Sequence, residues 1–228
     1  MPSHAFVVSG CGRSGTGHVA AVLTALGAPC GHEAIFHTDT FADGGRLMWP
    51  KSVAGDASWL AAPYLGKLPE GASVLHQVRE PMAVIRSILR SGILERDSAP
   101  QRFAAVHIPE LALGGPTVRA MRYWIEWNRL VEAAADYDDL RYRRHRLEDL
   151  DVAGVRELCA FLGLERSEEV VKRVLDSRPR DLNTRGDKRR DPSVTWESLP
   201  KGALLDELVE LAQSYGYDPG SVERLRAS

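Results

Sequence analysis

The chain has 228 residues, 44% hydrophobic and 26% charged, the balance of a globular domain rather than a disordered or fibrous chain. Its net charge of −2 gives no electrostatic reason to expect a nucleic-acid partner, and no apolar run approaches the ~20 residues of a membrane span. Three cysteines, Cys11, Cys30 and Cys159, lie far apart with no C-x-x-C pair, which argues against a disulfide framework or zinc site and fits a reducing cytoplasm. Met1-Pro2-Ser3-His4 leads straight into an apolar segment without the pattern of a signal peptide.

Phe6-Val7-Val8 is a continuous apolar run and predicts a buried strand. Val19, Val22, Leu23 and Leu26 recur at helical spacing, with Gly27 as a C-terminal stop. Val74-Leu75-His76-Gln77-Val78 predicts a second strand. Pro81 suits the first position of the helix after it, whose apolar stripe is Val84, Ile85, Ile88 and Leu89. A long helix is expected over 117–134 and a third, unusually basic strand over 140–146. Further helices are expected over 152–162, 168–175 and 203–215. This alternation argues for an α/β fold in three layers, a parallel sheet flanked by helices, of the P-loop-containing nucleotide-binding type. The expectation is a single domain over 1–228 with long loops near 37–71, 92–116 and 178–200, the first holding a weak helix around 58–64. Loops of that length in a compact domain are commonly functional lids or disordered segments.

Two segments carry the chemistry. Gly10-Cys11-Gly12-Arg13-Ser14-Gly15-Thr16-Gly17-His18 joins the first strand to the first helix. Such a turn makes a cradle of backbone N–H groups at a helix N-terminus, suited to a phosphate-like anion. Gly10 and Gly15 have the spacing of G-x-x-x-x-G-K-[ST], but Thr16 stands where the Lys should be. No Lys occurs between Met1 and Lys51, so Arg13 is the cation within the loop. The second segment ends the second strand in Arg79-Glu80-Pro81 and carries Ser87 in the following helix. It places a fixed cation and a hydroxyl at another helix start. A ligand with two separate anionic groups would use both.

On these residues the sequence resembles the sulfotransferases that use 3′-phosphoadenosine 5′-phosphosulfate (PAPS), in their bacterial form. Arg13-Ser14-Gly15-Thr16 resembles the family's 5′-phosphosulfate loop. Arg79 through Ser87 resembles its 3′-phosphate motif. The likeness continues in Tyr123-Trp124-Ile125-Glu126-Trp127-Asn128, Arg146-Leu147-Glu148-Asp149-Leu150 and Tyr215-Gly216-Tyr217-Asp218, covering nearly the whole chain. Two positions depart from it: Leu147 stands where Tyr is usual, and Gly17 where Thr or Ser is frequent. The resemblance implies in-line sulfuryl transfer from PAPS, leaving adenosine 3′,5′-diphosphate (PAP), to a hydroxyl or amine of a small-molecule, glycan or peptide acceptor. It implies that Arg13, Ser14, Gly15, Thr16, Gly17 and His18 hold the 5′ end. Arg79 and Ser87 would hold the 3′-phosphate, and Arg185 would belong to a donor-closing segment.

A hydroxyl acceptor needs a base. Glu33 is the first candidate, expected at the carboxyl edge of a neighbouring strand, where burial would raise its pKa toward neutrality. The resemblance supports it, since a Glu after this helix is the base proposed in related bacterial enzymes. His32 and His37 follow, with Asp56 and Ser58 as candidates to face the acceptor. Arg141, Arg143, Arg144 and Arg146 are read either as an anion-binding strip or as a solvated strand edge. Trp124, Trp127 and His76 are read as packing residues. No metal is required by the scheme. The alternatives are a small-molecule P-loop kinase, which the missing Gly-Lys-[ST] opposes, and a non-catalytic nucleotide-binding module of the same fold.

Overall fold

The computed structural model describes residues 5–37, 47, 49, 54–178 and 193–220. In chain order these form β1 (Phe6–Ser9), α1 (Thr16–Ala25), β2 (Cys30–His32), β3 (Gly55–Ala57), β4 (Ser73–Val78), α2 (Pro81–Ser91), α3 (Ala99–His107), α4 (Pro116–Glu132), β5 (Arg141–Arg146), α5 (Val152–Phe161), α6 (Glu168–Asp176) and α7 (Ala203–Ser214). The chain divides into two compact units: Met1–Val78 with Leu130–Arg185, and Arg79–Arg129 with Gly186–Ser228.

The first unit holds a five-stranded sheet in the order β2-β3-β1-β4-β5, every neighbouring pair parallel. The fold is α/β, a parallel sheet flanked by helices. Phe6 and Val8 of β1, Ala57 of β3 and Leu75 of β4 share one core with Val19, Val22, Leu23 and Leu26. Val155 and Leu158 of α5, Leu162 just after it and Val171 of α6 complete it. All six residues of β4 are buried, as a central parallel strand requires. After β1 the chain steps two places outward to β2, returns to β3, and then crosses to β4 on the other side of β1. This reversal of direction puts the crevice of an open α/β sheet at the carboxyl end of β1.

Two strands lie where the sequence offers little signal. β2 and β3 have three residues each, and Gly55-Asp56-Ala57 has no apolar alternation. β3 also corrects the placing of Glu33: the strand preceding it, β2, does not neighbour β1 but pairs with β3. The weak helix expected near 58–64 is a 3-10 segment, Trp59–Lys67, with Pro63 inside it and the Ser58 side chain accepting from the Leu60 N–H.

The second unit contains α2, α3, α7 and most of α4. α3 falls in the stretch 92–116, expected as a loop for Pro100, Pro109, Pro116 and its glycines. Pro100 sits in the first turn, behind the Ser98 N-cap, where it starts a helix rather than breaking one. Trp127 packs on Tyr123 at 5.1 Å and Phe103 at 6.1 Å, and Trp124 on Tyr215 at 5.8 Å, ring centre to ring centre. These aromatics are packing residues, as their spacing suggests. Among the described residues no helix is long and apolar enough to cross a membrane.

Candidate anion-binding and catalytic site

The turn from β1 to α1 is held in one shape by contacts on every side. A Cβ at Gly10 would lie 2.0 Å from the Gln77 carbonyl oxygen, so only glycine lets the chain leave β1 this close to β4. Arg13 and Gly15 both take left-handed backbone, at φ 77° and 94°, a conformation that costs a non-glycine residue about 1–2 kcal/mol. The Ser14 N–H donates to the Cys11 carbonyl at 3.0 Å, and the His18 and Val19 N–H groups donate to the Gly15 carbonyl. The Gln77 Nε2–H donates to the Ser14 carbonyl at 2.7 Å. Leu147, at the position where Tyr is usual, closes on Gly15: its two Cδ atoms lie 3.0 Å from where a Gly15 Cβ would stand. Burial pushes the Cys11 thiol well above its ordinary pKa, so it fills the turn as a neutral group.

This shape leaves a set of donors without acceptors. Gly15, the N-cap of α1, has no side chain to cap the helix. Among the described residues no backbone acceptor meets the N–H groups of Gly15, Thr16 or Gly17. The Ser14 hydroxyl is buried with no hydrogen-bond partner among the described residues. A buried polar group without a partner is costly, and here several such donors meet the positive end of a helix. The donor set fits a phosphate-type oxyanion. Arg13, half-buried, is the cation carried by the same turn.

His32 ends β2 over the first turn of α1. Its Nε2 lies 3.4 Å from the Thr16 Oγ1 and 3.3 Å from the position a Gly17 Cβ would take. The imidazole thus stands against the space that a hydroxyl side chain at 17 would occupy. Glu33 follows at once. Its backbone is left-handed at φ 55°, and its N–H donates to the Ala57 carbonyl at 3.1 Å, fixing it at the carboxyl edge of the sheet. Its side chain is exposed, so the burial expected around this carboxylate is not found. His37 is exposed as well.

Asp56 and Ser58 do not face an acceptor; both are fully buried and committed to backbone. The Asp56 carboxylate accepts from the N–H groups of Ala34, Ile35 and Phe36 at 3.0–3.1 Å. The Ser58 hydroxyl donates to the Phe36 carbonyl at 3.0 Å. Together they fasten the turn that carries Glu33 onto β3. The same carboxylate, after burial, helps hold the Cys30 thiol far above its ordinary pKa.

The basic strip on β5 is not a free anion site. Arg143 pairs with Glu157, Arg144 with Glu132 at 2.7 Å, and Arg146 with Asp149 through two bonds of 2.7 Å. Arg141 donates to the Phe161 carbonyl and stacks over its ring at 4.7 Å. His76 is a satisfied core histidine, its Nδ1 2.7 Å from the Tyr142 hydroxyl.

In the second unit, Arg79 is half-buried and its carbonyl accepts from the Trp124 Nε1–H at 3.1 Å. Ser87 is buried within α2, 4% exposed. One expectation changes: the first free N–H groups of α2, on Met82 and Ala83, are already met by the Glu80 carboxylate. The positive end of that helix is therefore occupied by the chain's own anion. Arg185 lies outside the described residues. Sequence reading gave no role to Gln77 or His145. The signal available was a polar Gln in an otherwise apolar central strand.

No family model and no curated protein matches this chain. Among solved structures it is similar to the sulfotransferase domain of the olefin synthase from Synechococcus PCC 7002. The TM-score is 0.60 at 18% identity, with 95% of this chain and 96% of that one covered. At that identity the likeness is one of fold, extending over nearly the full length of both.

Proposed function

We propose that the chain is a sulfotransferase that moves a sulfuryl group from PAPS to a hydroxyl or amine of an acceptor. The observation that carries this reading is the Lys-less turn at the carboxyl end of β1. Among the described residues its Ser14 hydroxyl has no hydrogen-bond partner and the N–H groups of Gly15, Thr16 and Gly17 meet no backbone acceptor, and Arg13 is its cation. The sulfotransferase-domain fold likeness supports it. PAPS, when bound, supplies the activated sulfuryl group. In this reading the turn residues Arg13 to His18 hold the 5′ end, and Arg13 offsets the charge that grows on the departing phosphate side. Arg79 and Ser87 hold the 3′-phosphate. Glu33 takes the acceptor proton, with His32 and His37 as the next candidates. Catalysis then rests on positioning and fixed dipoles rather than on covalent intermediates.

PAP is expected to stabilise the folded protein, and ATP with magnesium to do so far less. At ~100 times its dissociation constant a ligand adds about 2.7 kcal/mol, which a thermal-shift assay resolves. Equal, magnesium-dependent stabilisation by ATP would turn the reading to a kinase. Arg79→Ala is expected to weaken PAP by roughly ten- to a hundredfold, the effect of a lost hydrogen bond to a charged group. Binding of adenosine 5′-monophosphate should change little, and calorimetric titration of both ligands checks this. Equal weakening of the two would remove Arg79 from the 3′-phosphate.

A further inference from the structure

Gln77 sits on β4, fully buried, and touches the anion turn twice. Its backbone carbonyl lies against Gly10 and its side chain holds the Ser14 carbonyl. A carbonyl only accepts, so the Nε2 end of the amide must face Ser14. That leaves the Gln77 Oε1 toward His145 on β5, 3.1 Å from its Nε2. An amide oxygen also only accepts, so the His145 Nε2 carries the proton and the relay runs one way, from His145 to Gln77 to Ser14. Burial, and then the charge of Arg143, push the His145 pKa down to about 3 against the pull of Asp149. The imidazole therefore remains a neutral, single-tautomer donor across the ordinary pH range.

The relay has a consequence for the ligand side of the turn. In a trans peptide the C=O and the following N–H point in opposite directions, and no described peptide here is cis. Drawing the Ser14 carbonyl onto Gln77 turns the Gly15 N–H away from β4, to a side where, among the described residues, no backbone acceptor meets it. The Leu147 side chain packs beside Gly15 as well. We infer that Gln77, oriented by His145, is the positioning residue that aims the Gly15 amide at the 5′-anion of the donor. The inference rests on the turn being the donor's 5′ site, as proposed above. Neither residue touches the ligand; both act through the Ser14–Gly15 peptide.

The test is a binding titration with PAP, adenosine 5′-monophosphate and adenosine 3′-monophosphate. The parent protein is compared with Gln77→Met, which keeps length but loses both hydrogen bonds, and His145→Leu, which removes the donor that holds the amide oxygen. The Gln77→Met variant should weaken PAP and adenosine 5′-monophosphate by a common factor of roughly ten- to a hundredfold. Adenosine 3′-monophosphate should bind as before. His145→Leu should give the same 5′-selective loss, smaller in size, and serves if the first variant does not fold. Unchanged 5′-monophosphate binding in both variants overturns the inference, as does equal weakening of 5′ and 3′ ligands, the mark of a merely structural role. If the parent itself binds neither PAP nor adenosine 5′-monophosphate, the donor reading has failed before any substitution is made, and this inference falls with it.

Discussion

Replacing Glu33 with Gln is expected to lower turnover by roughly 10²–10⁴-fold, the usual worth of a positioned general base, and to leave PAP affinity nearly unchanged. Gln keeps the shape and the left-handed backbone position while removing the basic oxygen. The position is well defined even though the side chain is exposed. The Glu33 N–H is tied to the Ala57 carbonyl, and the three residues after it are tied to Asp56. In the proposed role as base, an exposed carboxylate here would draw its effect from position relative to the acceptor. Single-turnover rates with an identified acceptor, beside calorimetric PAP binding, make the check. A variant that turns over like its parent would pass the role to His32 or His37.

Asp56→Ala is expected to be the most damaging substitution in the sheet. It strips the acceptor from three backbone N–H groups, two of them, on Ile35 and Phe36, in buried residues. Leaving a buried donor unsatisfied costs about 1–3 kcal/mol each, so a loss of about 3 kcal/mol or more is expected in chemical denaturation. Because those N–H groups anchor the turn behind Glu33, turnover should fall even where the variant remains folded, while PAP binding, which the proposed function assigns to the turn after β1, should suffer less. Ser58→Ala, which removes one bond to the Phe36 carbonyl, should show the same pattern at smaller size. Loss of PAP binding in step with loss of turnover would mean that Asp56 supports the sheet as a whole rather than this edge.

The sequence by itself determined the elements whose signals are local. Phe6-Val7-Val8 and the run ending in Val78 read as buried parallel strands because central strands are apolar on both faces. The helices α1, α2 and α4 to α7 were expected to within a few residues at each boundary, with Gly27 ending α1 and Pro81 opening α2. The turn after β1 was legible because Gly at 10 and 15 with no Lys at 16 shows on the page, and the function proposed for it lies in backbone N–H groups. Only the tertiary structure decided which polar residues serve the site and which serve the fold. β3 has three residues and no apolar alternation, so its strand character comes from pairing with β1 and β2. That pairing turned Asp56 and Ser58 from acceptor-facing candidates into buried anchors. The arginines of β5 could be read either way until their partners Glu132, Glu157 and Asp149 were in place. Gln77 and His145 stand 68 residues apart and carry no shared motif. A hydrogen-bond relay between adjacent strands depends on register, and register in a parallel sheet is set by long crossovers and packing rather than by any local pattern.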